Sequence, residues 1–344
     1  DNFANTALPS GLPRIEDALP EMDTILAGLR KAAPNIEFIH AKGCEVTGGG
    51  TEGFAAAVET ARGADLTIAV MGDKAGLVDG CTSGEAHDRM SLDLPGHQRA
   101  LLEAVAATGI PIVLTLVAGK PNSLVRESEI CRAVVEAWYP GEEGAAAVAA
   151  VLFGDANPAG RLPISFPRDV GQVPVFYGHK PSGGQAHWKG DYADGPTTPL
   201  FPFGFGLSYT TFEYSDLSIP EACDVAGSFT VSFTVRNTGK RDGEEVAQLY
   251  LRDLESDVTR PVAELTGYAR VAIPAGGSRR VSFTVSTDQL CFLDREMRLV
   301  VEPGKTLVSV GASSADIRLS GTIELTGKTR VVSRRKFATE TRVV

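Results

Sequence analysis

Groups that could do chemistry crowd one stretch of the chain. Asp73, Asp79, Cys81, Glu85, His87, Asp88 and Arg89 fall within it, around the run Thr82-Ser83-Gly84-Glu85-Ala86-His87-Asp88-Arg89. A carboxyl group here could pass a proton to or from a reacting oxygen. A cysteine near a histidine could act as a nucleophile, but Cys81 and His87 share the loop and no third group can be named to orient the base. Asp88 and Arg89 are adjacent and opposite in charge, and read as a local pair that shapes the loop. Glu85 remains as the candidate acid, with Asp73 and Asp79 as rivals. Taken on position alone, Glu85 reads as a solvated loop carboxylate.

The flanks of this stretch say what must position it. Upstream, Leu66-Thr67-Ile68-Ala69-Val70-Met71 is an apolar run ending at Gly72, the length of a buried strand. Downstream, Leu92, Leu94, His97, Leu101, Leu102 and Val105 keep helical spacing around Pro95, which predicts a helix over 95–107. About twenty aperiodic residues lie between, long for a connection inside a compact domain and more often functional than incidental. Ligands of open α/β sheets bind beyond the carboxyl ends of strands, and this loop leaves such an end.

The rest of the first half alternates. Helices are expected over 15–33, closed by Pro34, over 54–61 and over the Ala-rich 145–152; strands are expected over 36–40, 110–117 and 133–138. Such alternation implies a mainly parallel sheet covered by helices. Glu142 and Glu143 precede the Ala-rich helix and read as first-turn acids facing the helix dipole, not as a catalytic pair. Residues 172–206 are rich in Gly, Pro and aromatics. Trp188 and Tyr192 could line a sugar site there, although packing is the plainer role. Beyond it the period becomes two, with strands expected over 229–235, 246–251, 281–285 and 306–310, the pattern of a β-sandwich. The expected organisation is an α/β domain over 1–175, a connector over 176–206, a β-sandwich over 207–327 and a basic tail over 328–344. Arg330, Arg334, Arg335, Lys336 and Arg342 make that tail either a packing strand or an arm.

A net charge of -10 argues against a nucleic-acid surface, which needs a basic face. No apolar run approaches the roughly 20 residues of a membrane-spanning helix, so no membrane partner is expected. The first residues, Asp1-Asn2-Phe3-Ala4-Asn5, lack the basic and apolar regions of a signal peptide. Five scattered cysteines without a CxxC pair predict neither a disulfide framework nor a zinc site. Reduced thiols favour the cytoplasm, with secretion open if a leader lies on a preceding segment.

Several stretches together resemble the C-terminal half of glycoside hydrolase family 3, the β-glucosidase and β-xylosidase family. They are Ser83-Gly84-Glu85-Ala86-His87-Asp88-Arg89 with 92–98, the run 138–144, GDANPAGRLPISFP at 154–167, PLFPFGFGLSYTT at 199–211 and GEEVAQLY at 243–250. The resemblance implies an α/β sandwich domain with a mainly parallel sheet followed by an all-β fibronectin type III-like sandwich. It also implies that Glu85 is the general acid/base of a retaining exo-β-glycosidase acting on a terminal glucose or xylose. The nucleophile would be an aspartate on a (β/α)₈ barrel, a domain of about 250 residues that these two domains leave no room for. The expected partner is therefore the barrel-containing remainder of the enzyme, and this chain alone is expected to be inactive. No metal or organic cofactor is implied, and no substrate-binding residue can be named. His87 departs from the small or aromatic residue often found at its place. The alternative is a non-catalytic carbohydrate-binding or scaffold module.

Overall fold

The computed structural model describes residues 22–76, 80–85, 87–181 and 190–344. The chain forms two compact units, one taking residues up to Ala156 with Pro167–Gly171, the other taking Asn157–Phe166 with Gln172–Val344.

The first unit contains helices α1 (Ile25–Ala32), α2 (Phe54–Arg62), α3 (Gln98–Ala106), α4 (Val125–Ile130) and α5 (Gly144–Phe153). Its strands β1 (Thr67–Gly72), β2 (Ile112–Val117) and β3 (Ala133–Glu136) are parallel and lie in the order β1-β2-β3. This is the alternating α/β arrangement that the apolar runs predict. Its core joins α2, α3 and β2 through Ala61, Leu101, Leu102, Val105 and Ile112. Cys131 packs at the margin of that core, and burial together with the nearby Glu127 pushes its thiol up to about 11.

Four local expectations change. Helix α1 begins at Ile25 because the Thr24 hydroxyl accepts the Ala27 N–H at 3.2 Å and caps it there; Met22 is outside the helix and exposed. The earlier part of the expected helix, up to residue 21, lies outside the described residues. Residues 36–40 form no strand: Ile36 and Ile39 are half exposed, and no strand among the described residues pairs with them. Among the described residues the run before Gly72 is an edge strand, and Val70 is half exposed while Leu114 and Leu116 on the central strand are fully buried. Strand β3 stops at Glu136, before Trp138, which has φ +53 and cannot continue an extended chain.

Helix α5 packs on α1 at Gly28, where a Cβ would come within 2.7 Å of the Ala145 carbonyl oxygen. Glu143 occupies the N-cap position and Glu142 precedes it, so both carboxylates lie just ahead of the first turn.

The second unit is all β. A five-stranded sheet has the order β5 (Ala222–Asp224), β13 (Ile317–Thr326), β12 (Gly304–Gly311), β7 (Gly243–Asp253), β8 (Glu264–Ile273). A four-stranded sheet has the order β15 (Glu340–Val343), β9 (Ser278–Ser286), β6 (Ser228–Asn237), β4 (Phe212–Ser218). Alternate residues such as Val231, Phe233, Val235, Leu249, Leu251, Val281, Phe283, Val308 and Val310 fill one core, as period-two patterning requires. A small third sheet joins β10 (Phe292–Leu293), β11 (Leu299–Val301) and β14 (Arg330–Val331). The basic tail thus packs as strands: β14 pairs with β11 and β15 with β9. Among the described residues no helix is long and apolar enough to cross a membrane.

Candidate functional site

The candidate loop leaves the sheet at Gly72, where the backbone turns with φ +145. A Cβ there would fall 1.9 Å from the Val117 carbonyl oxygen, so only glycine lets β1 end this close to β2. Gln98 clamps the same point. Its side-chain oxygen accepts the Gly72 N–H at 2.7 Å, while its Nε2 donates to Gly72 O (2.8 Å), Val46 O (3.1 Å) and Pro95 O (3.2 Å). The first residue of α3 therefore fixes both the departure of the loop and its return.

Asp73 is next, with its side chain fully buried. It accepts the Thr82 hydroxyl at 2.9 Å and faces Arg89 Nη1 at 3.5 Å. Thr82 in turn accepts the Lys74 N–H at 2.9 Å and donates its own N–H to Lys74 O at 2.8 Å. Arg89 also reaches the Asp93 carbonyl through Nη2 at 2.9 Å. The loop's ion pair therefore runs from Arg89 to Asp73 instead of to its neighbour Asp88, which is exposed. A desolvated carboxylate needs a cation far more than a hydrated one does, and that decides the choice. The same burial leaves the Asp73 side chain without access to solvent. Asp79 lies outside the described residues.

The tip is tied from the other side. Ser83 Oγ lies 2.7 Å from the Tyr139 hydroxyl, beyond the end of β3. Gly84 has φ +111, and a Cβ there would meet Gly76 O at 2.8 Å; the His87 N–H then donates to Gly84 O at 3.2 Å. Glu85 sits inside this turn. It is exposed and makes no hydrogen bond or ion pair with any described residue. Cys81 and His87 are both half buried. The return limb is pinned where Leu92 O accepts from Ser123 N (2.8 Å) and Asn122 Nδ2 (3.2 Å). Arg99 bridges Asp93 at 2.9 Å and the buried Glu127 at 2.7 Å.

Glu136 completes the arrangement. Its Oε1 accepts the Trp138 N–H at 2.9 Å, whereas its buried Oε2 has no hydrogen-bond partner. Burial pushes this carboxyl up to about 8; the Asp73 charge adds to the rise and the Trp138 N–H offsets part of it. Burial also raises the Tyr139 phenol, with the bond to Ser83 working against it. Sequence reasoning did not single out Gln98, Glu136 or Tyr139. The available signal was a charged residue ending the apolar run Ala133-Val134-Val135-Glu136. Beside these strand ends lies a cavity of 270 Å³ bordered by Lys42, Glu45, Asp73 and Gln98. Among its described residues the braced loop presents two exposed carboxyls without a partner, Glu85 and Asp88, either of which can trade a proton with a group brought to it.

A model of the C-terminal domain of glycosyl hydrolase family 3 matches residues 2–209, and one of a fibronectin type III-like domain matches 245–314. The chain is 42% identical over 325 residues to a beta-xylosidase of Formosa agariphila, covering 93% of this chain and 43% of that protein. It is 41% identical over 276 residues to a periplasmic beta-glucosidase of Salmonella typhimurium, covering 78% and 35% respectively. The structure of a beta-glucosidase from Listeria innocua in complex with glucose superposes with a TM-score of 0.81 at 31% identity, over 89% of this chain and 42% of that one. The chain thus spans less than half the length of these relatives.

Proposed function

The chain belongs to glycoside hydrolase family 3, and from that premise we propose that Glu85 is the general acid/base of a retaining exo-β-glycosidase, a β-glucosidase or β-xylosidase. The nucleophile, on this reading, is an aspartate on a barrel outside these 344 residues. A retaining glycosidase sets two carboxyl groups roughly 5 to 5.5 Å apart, one attacking the anomeric carbon and one protonating the leaving oxygen. Proximity of the two makes the acid keep its proton, since like charges resist joint ionisation. In the first step Glu85 gives its proton to the departing oxygen. In the second it takes a proton from the water that hydrolyses the glycosyl-enzyme intermediate. The barrel-containing remainder and a β-linked glycoside are the partners this requires.

One observation carries the reading. Glu85 is exposed and without a partner among the described residues, on a loop braced on one side by the buried Asp73 with Thr82 and Arg89 and on the other by the surface bond between Ser83 and Tyr139. A carboxylate serving only solubility needs no such bracing.

The test uses the assembled enzyme. Glu85→Ala should lose most of its rate on glycosides with poor leaving groups, keep more on activated aryl glycosides, and regain turnover when azide is added. Equal loss on both substrate types without azide rescue would move the acid/base elsewhere. The chain by itself should not hydrolyse an aryl β-glucoside. Turnover by the chain alone would contradict a nucleophile outside it.

A further inference from the structure

We propose that the β-sandwich unit carries a binding site for a saccharide bearing a carboxylate, a hexuronic acid or a short oligosaccharide containing one. The site is a cavity of 390 Å³, within the range of small-ligand pockets. Its floor is the outer face of the five-stranded sheet. Arg252 and Tyr250 of β7 lie there, paired across the ladder with Leu307 and Ser309 of β12. Its wall includes Phe176 and His179.

Three features define the ligand. The first is charge. In a chain of net charge -10, the described residues lining this cavity include an arginine and a histidine and no Asp or Glu. Arg252 is half buried, and while its backbone lies in the ladder opposite Leu307, its guanidinium makes no hydrogen bond or ion pair with a described residue. A guanidinium partly removed from water and left without a carboxylate is prepared for one, and its fork matches a carboxylate bidentately. The second is the aromatic face. Phe176 is 60% exposed, and it stands on a fixed tier: Phe176 lies 5.0 Å from Tyr177, which stacks on Phe203 at 4.3 Å and meets Tyr250 edge-on at 5.8 Å. The Tyr177 hydroxyl is anchored in turn by the Leu265 N–H at 3.2 Å. An exposed ring held this firmly offers a flat apolar surface to the carbon-bound hydrogens of a pyranose. The third is hydrogen bonding. The Ser309 hydroxyl has no partner among the described residues. His179 Nδ1 must donate to Lys180 O at 2.7 Å, because a carbonyl only accepts, and this leaves its Nε2 for a ligand. The wall chemistry calls for an organic anion; the choice of a saccharide among organic anions rests on the glycosidase reading.

The test is a titration of the full chain, followed by saturation-transfer NMR and calorimetry, with three probes: methyl β-D-glucuronoside, methyl β-D-glucoside and benzoate. The glucuronoside should bind saturably and at least about tenfold more tightly than either of the others, as expected for one charge-assisted pair plus one stacking face. Arg252→Gln should cost about tenfold for the glucuronoside and leave the glucoside unchanged. Phe176→Ala, at an exposed position, should weaken both sugars, and it keeps the test open if the arginine variant fails to fold. Absence of saturable binding would overturn the proposal. So would benzoate binding as tightly as the glucuronoside, or an Arg252→Gln chain that folds and binds like the parent. None of these outcomes alters the leaving-group pattern expected of Glu85→Ala, so the two readings fail separately.

Discussion

Asp73 and Glu136 stand at the carboxyl ends of the two strands that flank β2, each with one buried oxygen lacking a hydrogen-bond partner. They brace the loop by opposite means. Asp73 takes the Thr82 hydroxyl and faces the Arg89 guanidinium through Oδ1, whereas burial favours the protonated form of Glu136. Its ordinary value is 4.5 and its folded value about 8, so between the two the folded chain binds a proton that the unfolded chain releases. The stabilisation from this group is complete below the unfolded value and is lost as pH rises through about 8. Glu136→Gln is neutral throughout and can still accept from Trp138. It should match the parent's melting temperature near pH 4.5 and exceed it at pH 8. Parallel melting temperatures for parent and variant across that range would show that Glu136 is ionised in the folded chain. None of this could be read from the sequence. Asp73 and Arg89 are far apart along an irregular loop, and their meeting depends on burial that no spacing rule encodes. The proposal for Glu85, by contrast, draws on the local run from Ser83 to Arg89, which can be recognised without knowing any distant packing.

At the level of elements, the most constrained junction is the one between β1 and the loop. Gly72→Ala places a methyl group against the Val117 carbonyl oxygen at a backbone angle that L residues rarely adopt. The expected cost is about 3 kcal/mol or more. The effect should also be more than global: if β1 shifts away from β2, Gln98 loses both bonds to Gly72 and the loop loses its register. A denaturation midpoint close to the parent's would mean that β1 can end elsewhere. The apolar runs announced β1, β2, α3 and α5, because a long run or a sustained period survives any error at the ends. They failed where burial depends on a neighbour. Ile36 and Ile39 look like strand residues but have no strand beside them among the described residues, and within those residues the Leu66 run lies at a sheet edge although it looks buried. Strands β8 and β13 were not singled out. Glu264-Leu265-Thr266-Gly267 opens one and Gly321 interrupts the other, which blurs the alternation.

Across the whole molecule the chain passes from one unit to the other more than once. Asn157–Phe166 folds with the β-sandwich although Pro167–Gly171 returns to the first unit. That short segment is not filler. Leu162 N and Phe166 N each donate at 2.8 Å, to Phe205 O and Phe201 O. Arg161 pairs at 2.6 Å with Glu245, whose side chain is 3% exposed and also accepts the Tyr214 hydroxyl at 2.8 Å. A fragment 172–344 would leave Glu245 buried without its cation, a loss of about 3–5 kcal/mol. It should unfold at clearly lower urea than a fragment 157–344, and equal midpoints would show the pair to be dispensable. The aromatic tier has a further consequence, for spectroscopy. Every close ring pair found among the described residues belongs to the sandwich, and the Tyr177–Phe203 stack lies at 4.3 Å with an interplanar angle of 19°. Near-ultraviolet dichroism from coupled rings should therefore report the sandwich. Of the two tryptophans, Trp138 belongs to the first unit, so in a Trp188→Phe chain indole emission reports that unit alone. A single heating run then carries two internal dyes, one for each half of the protein.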